Sequence, residues 1–148
     1  GGKRMIESDT LRLLRECDAG IKMGVASIGE VTGHVKDAAF REQLNVCKSG
    51  HEHLGRQVEA LLREYRAGGK SPSPVARGMS WLKTNVMLAA GGDDKTVADL
   101  MTDGCNMGVK SLSRYLNQYE AADETSKNIA KRLIGLEKQL CDDIRRYL

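Results

Sequence analysis

The chain has 148 residues, 41% of them hydrophobic and 29% charged, with a formal net charge of +3. That length suits one domain with a real core, the charge is too weak and too evenly spread for a nucleic-acid face, and no apolar run reaches the roughly 20 residues that cross a bilayer. Aromatics are only 4%, so the core must be aliphatic and sulfur-containing, which favours helices packed side by side over a sheet rich in aromatic and β-branched residues.

One bundle domain is expected over 1–148, with a flexible start at 1–7. The first helix is predicted over 8–35. Leu14, Ile21, Ile28 and Val35 recur at a seven-residue spacing, with Cys17, Gly24 or Val25, and Val31 between them, the pattern of a bundle helix. Ser8 or Asp9 is the candidate N-cap. A short break at Lys36-Asp37 makes the next helix an antiparallel neighbour. That second helix, over 38–67, carries Phe40, Leu44, Cys47, His51, Leu54, Val58, Leu61 and Tyr65 in steps of four and three, and Gly68-Gly69 suits its C-terminal cap. Residues 68–93 read as a crossover containing a shorter helix near 74–90, with Pro74 in its first turn. The third helix, over 93–120, follows the cap candidates Asp93 and Asp94. The fourth, over 124–147, carries Ile129, Leu133, Leu136, Leu140, Ile144 and Tyr147.

The chain repeats itself. Gly20-Ile21-Lys22-Met23-Gly24-Val25-Ala26-Ser27-Ile28 matches Gly104-Cys105-Asn106-Met107-Gly108-Val109-Lys110-Ser111-Leu112 at the glycines, at Met-Gly-Val and at serine. With a slightly longer loop in the second half, His51 falls on Glu137 and Leu54 on Leu140. Two related hairpins joined by a crossover are therefore expected. Each mid-helix glycine costs about 1 kcal/mol against alanine. The first explanation is close approach of helix one to helix three, backbone against backbone; the alternative is space left for a ligand.

Arg77-Gly78-Met79-Ser80-Trp81-Leu82-Lys83, then Gly91-Gly92-Asp93-Asp94, then a helix entering Asp103-Gly104, give a chain that resembles an uncharacterised bacterial branch of the ferritin-like superfamily. The resemblance covers most of the sequence and implies an all-α, ferritin-like four-helix bundle with no assigned activity, and a stress-associated role. Di-iron members hold their metals with a glutamate from each of two helices and Glu-x-x-His from each of the others. Here Lys48 precedes His51 by three, Gly50 precedes His53 by three, and Leu140 follows Glu137 by three, so the di-iron ligands are lost and no cofactor is expected.

Folding each hairpin about its loop sets Met23 and Gly24 opposite His51, and Met107 and Gly108 opposite Glu137. His51 lies on the apolar stripe, and a buried imidazole and carboxylate need partners, so the two are expected to satisfy each other directly or through one water. The rival is a single metal held by Cys47, His51, Cys105 and Glu137, legitimate zinc ligand types at a spacing that matches no standard motif. A haem on Met23 or Met107 is more remote, because methionines at helical spacing are usually core fillers. The four cysteines, Cys17, Cys47, Cys105 and Cys141, form no CxxC pair and read as reduced thiols. With no signal-peptide pattern, the cytoplasm is the expected location. His34, His53 and the glutamates of the first two helices, Glu16 among them, read as solvated, and a bundle interior gives a Cys47–His51 nucleophile no evident substrate access. The functional expectation is a non-enzymatic structural or interaction module, with a metal- or cofactor-binding protein as the alternative. Trp81, Met87, Leu62 and Leu116 flank the apolar stripes, so a homodimer is expected, with neither nucleic acid nor membrane as partner.

Overall fold

A computed structural model describes residues 2–65 and 92–148. Those residues form a four-helix bundle of α1 (Gly2–Thr32), α2 (Ala38–Glu64), α3 (Asp94–Gln118) and α4 (Glu124–Ile144), closed by a short 3-10 turn at Arg145–Tyr147. The expected crossover helix near 74–90, with Pro74, Trp81 and Met87, lies outside the described residues. No described helix is long and apolar enough to cross a membrane.

The stripes read from the sequence are the faces that pack. Leu14, Cys17, Ile21, Ile28, Val31 and Val35 of the first hairpin arm are all buried, as are Phe40, Leu44, Cys47, His51, Leu54 and Val58 of α2. At the end of α2 the register differs from expectation. Leu62 is the buried residue, at 3% exposure, while Leu61 only packs against the core and Tyr65 is exposed. Leu62, expected at the edge of the apolar stripe, is buried and adds nothing to an association face; Leu116 is half-buried against the same core. The first helix, α1, begins at Gly2 rather than near Ser8, with Met5 and Ile6 exposed on its first turns.

The core has two parts. One gathers Ile28, Phe40, Leu44, Val97, Met101 and Ile144. The other gathers Leu13, Leu14, Leu54, Val58, Ile129 and Leu133. Each helix pairs closely with its hairpin partner, α2 also lies along α4, and α1 meets α3 least closely of the touching pairs. The side of the bundle between α1 and α3 is therefore its loosest seam.

Polar clasps hold the ends. Asp94, in the first turn of α3, accepts from the backbone N–H groups of Lys36 and Asp37 at 2.8 and 2.9 Å. At the opposite end Asp9 accepts from the N–H of Ala121 at 3.0 Å, and Thr10 accepts from that of Asp123 at 2.8 Å. Asp9 is thus a clasp between hairpins and not the N-cap that its position suggested. Asp37, Asp93 and Asp123 do cap α2, α3 and α4, each satisfying a first-turn N–H that has no partner within the helix. Near the first clasp the rings of Phe40 and Tyr147 stack 4.5 Å apart.

Because these clasps satisfy loop N–H groups that the helices cannot, Asp94→Ala should lower unfolding stability by about 1–2 kcal/mol. Urea denaturation checks this: the midpoint should fall with an unchanged slope, and an unmoved midpoint would mean that the ends contribute nothing.

Candidate functional site

His51 lies between the two apolar clusters on α2, 1% exposed. Its Nδ1 is 2.8 Å from the carbonyl oxygen of Cys47, one turn earlier. A carbonyl only accepts, so Nδ1 carries a proton and donates it. On the other side Nε2 stands 2.9 Å from Oε1 of Glu137 on α4, whose side chain is 13% exposed. The buried imidazole and carboxylate are therefore direct partners. Burial disfavours the charged imidazole, but its contacts with Cys47 and with the Glu137 carboxylate outweigh this and push the His51 pKa up to about 10. Of the Cys47 contacts, the 2.8 Å bond to the carbonyl is the better hydrogen bond; the thiol is 3.6 Å from the same nitrogen. The raised pKa keeps His51 an imidazolium at neutral pH, donating from both ring nitrogens.

Two glycines make room for it. A Cβ placed on Gly24 of α1 would stand 2.8 Å from Cδ2 and 2.9 Å from Nε2 of His51. A Cβ on Gly108 of α3 would stand 3.3 Å from Cδ of Glu137 and 3.5 Å from its Oε2. Gly20, one turn before Gly24, would meet only Cδ2 of Leu133, at 3.9 Å. None of these three contacts is with the backbone of the facing helix, so the expectation of backbone-to-backbone approach between α1 and α3 is corrected. Their seam instead holds a cavity of about 420 Å³ lined by Gly20, Gly24, Gly104 and Gly108.

The same cavity is walled by Met23, Ile28, Met101, Leu112, Leu133 and Leu140 and reaches Cys47, His51, Cys105 and Glu137. All four residues singled out from the sequence thus border one space. The Cys105 thiol is pushed well above its ordinary value by burial first, then by the Glu137 charge and the hydrogen bond between them. Burial likewise pushes Cys17 up to about 12. Such thiols stay protonated and unreactive. Among the described residues no group of three or more His, Cys, Asp or Glu side chains is disposed to hold a metal ion. Both nitrogens of His51 are already engaged, so the central layer does not fit a di-iron centre.

Several lining residues were not legible in advance. Glu16, read as solvated, is half-buried and borders the cavity with Tyr115 and Ser27. The Tyr115 hydroxyl is held above its usual range by burial and by the Glu16 carboxylate. Ser27 donates to the carbonyl of Met23 at 2.7 Å. The repeated motif held the available signal for Ser27 and Ser111; nothing in the spacing marked Glu16. His34 and His53 are exposed as expected.

No family model, curated protein or solved structure matches this chain.

Two substitutions one turn apart should act in opposite directions. Gly20→Ala should stabilise by up to about 1 kcal/mol, because a better helix former enters open space. Gly24→Ala should destabilise by about 1–3 kcal/mol, because His51 is tethered on both sides and cannot move away. Thermal or urea unfolding of both variants reads the contrast, and equal effects would contradict the geometry.

The pair also sets a pH dependence. With its folded pKa raised from 6.5 to about 10, His51 contributes stability that is fully present below pH 6.5 and is lost as pH rises toward 10. Between pH 6.5 and 8.5, below ordinary thiol ionisation, the native protein should lose stability as pH rises. Glu137→Gln should flatten that slope and lower the imidazole pKa followed by NMR. An equally steep slope in the variant would exclude Glu137 as the cause.

Proposed function

We propose that this bundle is a non-enzymatic binding protein that takes a small, mostly apolar molecule into the seam between α1 and α3, at the level of His51 and Glu137. The observation that carries the reading is the cavity of about 420 Å³, within the usual size of small-molecule sites and built as they are, from apolar walls with a few convergent polar groups. Three methionines, Met23, Met101 and Met107, line it, and flexible thioethers adapt to ligand shape. Helix interiors do not keep glycines without reason, since alanine would serve the helix better; here Gly24 and Gly108 clear the polar pair and Gly20 and Gly104 widen the seam. Of the two functional expectations, the cavity favours cofactor or ligand binding over a purely structural role. Protonated thiols and a doubly engaged His51 weigh against catalysis.

We also infer a ferritin-like plan of two duplicated hairpins for the chain. Support comes from paired contacts at equivalent places: Gly24 against His51 and Gly108 against Glu137. The clasps add to it, because Thr10 stands to Asp94 at the same spacing that separates Gly20 from Gly104, and each holds the opposite hairpin's loop.

N-phenyl-1-naphthylamine, a neutral fluorophore that brightens in apolar sites, tests the binding reading. It should bind saturably with one molecule per chain, and Gly20→Leu, which fills the seam, should weaken binding at least about tenfold. Absence of saturable binding, or an unchanged affinity in the filled variant, would overturn it.

A further inference from the structure

The polar groups around the cavity differ in what they have left to offer. His51 donates from Nδ1 to the Cys47 carbonyl and from Nε2 to Glu137. Ser27 donates to the Met23 carbonyl, and the Tyr115 hydroxyl is under the influence of the Glu16 carboxylate. The donors of His51 and Ser27 are thus committed to the protein's own acceptors, while Ser111 adds a hydroxyl able to act either way. Glu137 is different. A carboxylate has about four acceptor sites on two oxygens; Oε1 serves His51, and Oε2 lies toward Gly108, where even an added Cβ would stand 3.5 Å away. The Cys105 thiol, a weak donor, interacts with the same carboxylate.

Charge narrows the choice further. The described lining contains Glu16 and Glu137 but no lysine or arginine, and its imidazolium, His51, already pairs with Glu137, so an anion would find no cation left to pair with among the described residues. A cation at Oε2 would face the imidazolium that already neutralises Glu137 from 2.9 Å, and like charges in an apolar site repel strongly. A pure hydrocarbon would cover Oε2 with nothing to donate to it, and a buried acceptor left unsatisfied weakens binding.

Resting on the reading of the seam as a binding site, we propose that its ligand is a neutral, largely apolar molecule with one hydroxyl or N–H donor, docked by that donor onto Oε2 of Glu137. Glu137 is then the specificity-determining residue, and His51 positions it by fixing its other oxygen.

Competition against bound N-phenyl-1-naphthylamine tests this with four compounds that share one ring system: 1-naphthol, 1-methoxynaphthalene, 1-naphthoate and 1-naphthylmethylammonium. The expected order places 1-naphthol first, at least about tenfold tighter than its methyl ether, as a hydrogen bond to a charged acceptor implies, with both charged compounds weakest. Glu137→Met, which keeps the side-chain length and removes the acceptor, should bring the naphthol and the ether within about twofold. A folding failure in that variant leaves the order in the native protein as the deciding measurement. Tightest binding by the naphthoate or the ammonium, or equal binding of naphthol and ether, overturns the ligand class while the cavity reading stands. Failure of the fluorophore itself to bind overturns both.

Discussion

The contact between His51 and Glu137 organises the middle of this bundle. It joins α2 to α4 at 2.9 Å, at the level where the two apolar clusters part. Burying a charged pair in a helical core is costly and yields stability only when geometry and hydrogen bonding are good; here the imidazole is bonded on both sides, so the arrangement is well determined. It also fixes what the facing helices can be. A ring held against α1 leaves no room for a Cβ at Gly24, and a carboxylate held toward α3 leaves little at Gly108. Once those positions are glycine, α1 and α3 lack the interlocking side chains that close the other sides of the bundle.

A seam of that kind would tend to collapse unless the helices were held elsewhere. They are fixed at both ends by Asp94 on the first loop and by Asp9 and Thr10 on the second, and along their lengths by α2 and α4. The clasps and the central pair therefore act together: the ends set the spacing of the helices, and the middle keeps bulk out of the space between them. Stability is lower than a filled core would give, since cavities and mid-helix glycines both cost free energy. A site for a ligand is a physical reason to tolerate that cost.

Much of this was legible in the sequence because helical phase is strict. The apolar steps of α2 put His51 inside, and the repeated Met-Gly-Val motif set the glycines opposite the polar residues at one level. The phase argument is ambiguous at Leu61 and Leu62, since both reach the same core cluster and only the packing of the neighbouring helices decides which is the more buried. Asp9 and Thr10 carry the composition of a cap, and only the tertiary position of the 119–123 loop reveals them as clasps. For the glycines, spacing alone does not say whether the Cβ they lack would meet a facing backbone, a side chain or empty space. Glu16 escaped notice for the same reason: a glutamate near the edge of a stripe looks solvated until the seam beside it is seen to be open.

The central claim is that α1 and α3 are held apart at their glycines, leaving an accessible apolar space beside the His51–Glu137 pair. A crystal of the protein pressurised with xenon measures this directly, since xenon enters apolar cavities of this kind. The account predicts xenon density between Gly20, Gly24, Gly104 and Gly108, with His51 and Glu137 still paired. A closed seam with the two helix backbones in contact and no xenon between them would contradict it.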